Sequence, residues 1–111
     1  METIMIPPSM PLAIKEDVLT DICRRYQVQE LALFGSVLRH DFTPTSDVDV
    51  VVSFLSGTLV TLFWLGGLAS ALEALFGRPV DLVPMSAIRS ILREEILSTK
   101  ETIYVQTTTP N

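Results

Sequence analysis

The chain has 111 residues, 48% of them hydrophobic, and a net charge of −5, which allows one domain and one core but no second substrate-binding lobe. With 8 Lys and Arg against 13 Asp and Glu, a broad footprint on nucleic acid is excluded, because that needs clustered positive charge on one face. The single cysteine, Cys23, rules out an internal disulfide and, with a start that lacks the basic and apolar regions of a secretory signal, leads us to expect a cytoplasmic protein.

Residues 1–12, rich in Met and Pro, are expected as an irregular arm, residues 13–106 as the folded domain and residues 107–111 as a loose tail. From Ala13 to Tyr26 the apolar residues Ile14, Val18, Ile22 and Tyr26 recur every fourth position, which predicts a helix with one buried stripe. Cys23 lies beside that stripe as a small core residue. Glu30–Phe34 reads as a short strand ending at Gly35, and residues 36–41 as one helical turn. The Thr43-Pro44-Thr45-Ser46 segment is a loop by its turn chemistry. Asp47–Phe54 is a second strand, whose valines suit a position covered on both faces.

A long helix follows, introduced by Ser56-Gly57-Thr58 and ended by Gly77 with Pro79 beyond. Residues 79–83 form a third strand, Ser86–Ser98 a further helix with Ile88, Ile91, Leu92, Glu95 and Ile96 on its two faces, and Thr102–Val105 an edge strand. The fold class is therefore α+β: a small mixed sheet with helices packed against it.

Residues 50–72 contain no charged side chain, long enough by count to cross a bilayer. Asp47, Asp49 and Glu73 flank the stretch, Gly66-Gly67 interrupts it, and its first part reads as a strand, so no membrane span is expected. The alternative is a helix apolar nearly all round, one face on the sheet and the other, with Leu65 and Leu68, covered by a partner. Trp64 and Phe63 belong to core or interface on the same grounds.

The chemistry lies in Gly35-Ser36, Asp47-Val48-Asp49 and Asp81. Side chains two apart on a strand share a face, which puts Asp47 and Asp49 together, roughly 7 Å apart at the backbone. Adjacent carboxylates repel unless a cation lies between them, and oxygen-only ligation suits Mg2+, commonly held by one or two carboxylates and the phosphates of its substrate. Asp81 on a neighbouring strand could complete a two-metal arrangement. Gly35 lets backbone approach a phosphate, a helical turn from Ser36 offers free N–H groups, and Arg39 could reach the same anion. His40 is expected to be an exposed or phosphate-adjacent side chain rather than a general base.

Gly35-Ser36, ten intervening residues, Asp47-Val48-Asp49 and the later Asp81 resemble the minimal nucleotidyltransferases of the DNA polymerase beta superfamily. The resemblance runs from Leu31 to about Tyr104 and takes in Arg78-Pro79-Val80-Asp81-Leu82-Val83 and Leu92-Arg93-Glu94-Glu95-Ile96-Leu97. It is greatest with the small antitoxins that work beside HEPN-domain ribonuclease toxins and transfer AMP from ATP onto a toxin tyrosine. The resemblance implies a polymerase beta-like fold, Mg2+ (two ions), ATP as substrate and a HEPN-type partner. It also implies metal binding by Asp47, Asp49 and Asp81, activation of the acceptor hydroxyl by Asp81, and triphosphate binding by Gly35, Ser36 and Arg39. Two other readings share the fold: an antitoxin that neutralises by binding alone, and a transferase for a small hydroxylated molecule, for which a homodimer could build the missing lobe.

Overall fold

Valine occupies four of the first five positions of the strand Val48–Phe54, a density that only a strand buried on both faces tolerates. That strand lies inside the sheet in the structure, a computed structural model that describes residues 1–39, 42–43 and 45–107. The sheet consists of β1 (Glu2–Ile4), β2 (Val28–Phe34), β3 (Val48–Phe54), β4 (Val80–Pro84) and β5 (Glu101–Gln106), ordered β1-β5-β2-β3-β4. Its neighbours pair antiparallel except β3 and β4, which run parallel. A parallel pair needs a crossover, and α2 (Leu62–Phe76) supplies it, with α1 (Glu16–Arg25) and α3 (Ser90–Thr99) completing the helices among the described residues.

Alternation along the strands divides the core in two. Leu31, Leu33, Val48, Val50 and Val52 meet Leu19, Ile22 and Cys23 of α1 and Leu68, Leu72 and Phe76 of α2. On the other face Ala32 and Val51 pack with Ile88, and Phe34, Val83, Met85 and Ile96 surround them. Helix α3 crosses this second face with no buried residue of its own, and Ile91 is 82% exposed.

Several elements depart from expectation for reasons that lie far apart in sequence. Glu2–Ile4, expected in an irregular arm, is strand β1. The Glu2 carboxylate accepts from Arg24 Nε at 2.6 Å and from the Tyr104 hydroxyl at 3.1 Å, which fastens the start of the chain to α1 and β5. With β1 at the sheet margin, β5 is interior and not an edge strand. Helix α1 buries Leu19, Ile22 and Cys23 and leaves Val18 37% exposed, so its stripe is turned from the one expected. Helix α2 starts later than Thr58: Thr61 caps it, its hydroxyl accepting from Trp64 N at 3.1 Å, and Gly77 closes it at φ +69°. Leu68, expected on the outward side, is fully buried, while Leu62 and Phe63 stand in solvent. The last helix loses its first turn to a separate 3-10 segment, Met85–Ala87. No helix among the described residues is long and apolar enough to cross a membrane. His40, Asp41 and the tail beyond Thr107 lie outside the described residues.

Candidate active site

At one rim of the sheet β2 ends and β3 and β4 begin. Phe34, the last residue of β2, is opposite Asp49, and Asp49 is opposite Asp81 on β4. Val48 and Val50 point into the main core, so Asp49, and Asp81 beside it, lie on the face that α3 crosses. Asp47 sits one residue before β3 and is exposed, as is Asp81, whereas Asp49 is half-buried.

The turn after β2 presses on this acid row. Gly35 has φ +71° and opens the 3-10 segment Gly35–Leu38. A Cβ there would lie 2.2 Å from Asp49 Oδ2 and 3.1 Å from its Cγ, so only glycine satisfies both backbone and contact. The position expected to clear space for a phosphate thus also clears space for the Asp49 carboxylate. Burial pushes the Asp49 carboxyl above the ordinary aspartate range, and the Asp81 carboxylate pushes it further. A hydrogen bond from the Ser36 backbone opposes that rise, Asp47 adds to it, and Arg39 opposes it. The Ser36 hydroxyl is also within 3.5 Å of the Asp47 carbonyl, a long contact. The structure therefore gathers Gly35, Ser36, Asp49 and Asp81 closely, with Asp47 and Arg39 near enough to be felt electrostatically.

Residues beyond the motif hold it in place. Arg78 donates from Nη1 to the Thr43 carbonyl at 2.5 Å, and its guanidinium lies 4.4 Å from the centre of the Phe42 ring. It thereby tethers the segment that leads to Asp47. Val48 N donates to the Pro79 carbonyl at 2.9 Å, and Val80 N donates to Glu73 Oε2 at 2.9 Å, which fixes the start of β4 against α2. Beside the turn a cleft of about 670 Å³ opens towards α3, walled by Phe34, Leu38, Leu92 and Ile96 with Arg39 and Glu95 among its polar groups. Of these residues sequence reasoning assigned a role only to Arg39; the tether from Arg78 and Phe42 and the cleft wall of Phe34, Leu38, Leu92, Glu95 and Ile96 carry no spacing signal towards the acids.

Among the described residues no three His, Cys, Asp or Glu side chains lie together closely enough to hold a metal ion by themselves. The donor set is oxygen-only, with Asp49 and Asp81 in register and Asp47 in solvent just before β3. An open set of this kind fits Mg2+, which keeps waters and completes its octahedron with substrate phosphates. The like charges of Asp81 and Asp47 near Asp49 are what a cation would offset.

Residues 15–105 match the nucleotidyltransferase domain family. The protein adenylyltransferase MntA of Thermococcus cleftensis is 35% identical over 94 residues, 81% of this chain and 91% of that protein. A solved structure of a minimal nucleotidyltransferase superposes with TM-score 0.64 at 36% identity, covering 77% of this chain and 84% of the other. The MNT antitoxin complexed with a tri-AMPylated HEPN toxin from Shewanella oneidensis gives TM-score 0.59 at 19% identity, over 82% of this chain and 70% of that chain, a likeness of fold.

Proposed function

This chain belongs to the nucleotidyltransferase domain family, and from that premise we propose that it is a Mg2+-dependent protein adenylyltransferase and antitoxin. It moves AMP from ATP onto a hydroxyl, a tyrosine's, of a HEPN-type toxin in the cytoplasm and so silences it. The observation that carries this reading is the Gly35 turn, pressed within van der Waals reach of an Asp49 carboxylate that is in register with Asp81. Such a site serves phosphoryl chemistry, where positioning and charge do most of the catalysis.

The triphosphate lies against the turn, where Ser36 and its neighbours offer N–H groups and Arg39 a planar charged donor. Asp47, Asp49 and Asp81 would hold the metal, which when bound supplies positive charge for the phosphate oxygens. Asp81, exposed at the rim, takes the proton of the acceptor hydroxyl. The acceptor oxygen bonds to the α-phosphorus, the bond to the bridging oxygen of the β-phosphate breaks with its electron pair, and pyrophosphate leaves.

The test mixes the protein with Mg2+, α-labelled ATP and the HEPN-type product of a neighbouring gene. The expected result is label on the toxin, an intact mass raised by whole AMP increments, and loss of both with Asp49→Asn. An unlabelled toxin that is nevertheless inhibited would support the binding-only antitoxin, a reading favoured by the exposed Leu62 and Phe63.

A further inference from the structure

On the reading that Asp47 helps to hold the metal, we propose that Arg78 is a positioning residue for that ligand: through Thr43 and Ser46 it sets where the Asp47 carboxylate stands. The Asp47 side chain is exposed, and the pairing of β3 with β4 begins only at Val48, so the sheet does not fix Asp47 directly. Its backbone is held instead on both sides by the Arg78-Pro79 step. After it, Val48 N donates to the Pro79 carbonyl at 2.9 Å. Before it, Arg78 Nη1 donates to the Thr43 carbonyl at 2.5 Å, and the same carbonyl accepts from Ser46 N at 3.0 Å. Thr43 N donates in turn to the Ser46 hydroxyl at 2.9 Å. The guanidinium therefore grips a doubly bonded pair, Thr43 and Ser46, whose second member adjoins Asp47.

Phe42 steadies the guanidinium from below. Its ring centre is 4.4 Å away, and the ring itself packs against the main core. A planar cation can lay its face on a ring while donating from its edge, a combination that a lysine ammonium matches only in part. The backbone delivers Arg78 to this spot, since Gly77 ends α2 at φ +69° and Arg78 follows at once. Three residues further on comes Asp81, in register with Asp49. One side chain thus ties the entry of β4, which bears Asp81, to the approach to β3, which bears Asp47. Groups that orient a metal ligand without touching the metal are worth about 10- to 100-fold in metal affinity.

The experiment follows protein-bound Mn2+ by electron paramagnetic resonance, with ATP present, in the parent, Arg78→Met, Arg78→Lys, Phe42→Leu, Asp47→Asn and the pair Arg78→Met with Asp47→Asn. Thermal melts and hydrogen exchange at the Ser46 amide accompany each titration. Arg78→Met should weaken Mn2+ about tenfold and speed exchange at Ser46, with Arg78→Lys and Phe42→Leu between it and the parent. The pair should bind Mn2+ no worse than Asp47→Asn alone, because Arg78 acts through Asp47. Should Arg78→Met fail to fold, the two milder variants carry the test. Parent-like Mn2+ affinity in a folded variant whose Ser46 amide exchanges faster makes the tether structural only and overturns the proposal. An additive loss in the pair means that Arg78 meets the nucleotide itself, which overturns it as well. A parent that shows no protein-bound Mn2+ overturns the reading of the acid rim as a metal site, whatever the tether does at Ser46.

Discussion

Two half-buried carboxyls, Asp49 and Glu30, titrate in opposite directions, and the difference separates site from scaffold. Burial also works to raise Glu30, but the ammonium of Lys100 and the Thr102 hydroxyl at 2.7 Å outweigh it and hold the carboxyl below its ordinary range. Glu30 therefore adds stability above the usual glutamate range, and that stability is lost as pH falls through its lowered value. Asp49 is the reverse: raised by burial and by Asp81, its contribution is most favourable in acid and is lost as pH rises through the raised value. At neutral pH Glu30→Gln should melt below the parent and Asp49→Asn at or above it, both gaps closing below about pH 4. Mg2+ should raise the melting temperature of the parent more than that of Asp49→Asn. An Asp49→Asn protein that melts well below the parent at pH 7 would make this carboxylate structural. Gly35→Ala meets two obstacles, a left-handed backbone costing about 1–2 kcal/mol and a Cβ 2.2 Å from Asp49 Oδ2. It should lower the melting temperature and, by displacing the carboxylate, cut transfer about 100-fold. Normal transfer rates in that variant would take Gly35 out of the site.

The glycine pair within α2 behaves as two different residues. Gly66 has nothing within 4 Å of a built Cβ, whereas at Gly67 the Cβ would lie 2.6 Å from the Tyr26 hydroxyl oxygen. Tyr26 cannot swing away freely, because its ring stands edge-on to Trp64 at 5.2 Å and Trp64 Nε1 donates to the Tyr26 carbonyl at 3.1 Å. Gly66→Ala should therefore stabilise by up to about 1 kcal/mol, and Gly67→Ala should destabilise despite the same gain in helix propensity. Equal melting shifts in the two variants would mean that α1 and α2 adjust without cost. From sequence the pair reads only as an interruption, since the contact that distinguishes them joins residues 26 and 67. Elements set by local pattern were legible: β2, β3 and β4 with the valine run, and the end of α2 at Gly77. Elements set by distant partners were not. Strand β1 depends on Arg24 and Tyr104 meeting Glu2, and the start of α2 on which of several Ser and Thr residues becomes the cap. The site divides the same way. Gly35, Asp49 and Asp81 are visible by type and spacing, while the cleft wall on α3 is assembled only by the fold.

Across the whole molecule, the acid rim and the exposed apolar residues at the start of α2 lie at opposite ends. Strand β3 leaves the acid rim at Val48 and reaches the far end at Phe54, the last of its seven residues, roughly 20 Å away at strand rise. Helix α2 begins at that far end and returns, so Leu62 and Phe63, 86% and 94% exposed, and Leu59, 81% exposed, lie remote from Asp49. Helix α2, which carries Leu62 and Phe63, packs on the face opposite the one that bears Asp49 and Asp81. On the proposed function, a partner gripped there is held by this chain without its acceptor being placed by the same contact, because the acceptor would have to reach the acid rim on the α3 face. Binding and transfer should then separate. Leu62→Glu and Phe63→Glu should weaken the complex with the HEPN-type partner about tenfold or more, with ATP affinity and melting temperature unchanged. Transfer should fall at low partner concentration and recover at saturation, because the chemical site is untouched. Leu68→Glu, in a fully buried position, should instead unfold the protein. Unaltered partner affinity in Phe63→Glu would place the interface elsewhere, and a transfer rate that stays low at saturation would mean that α2 also positions the acceptor.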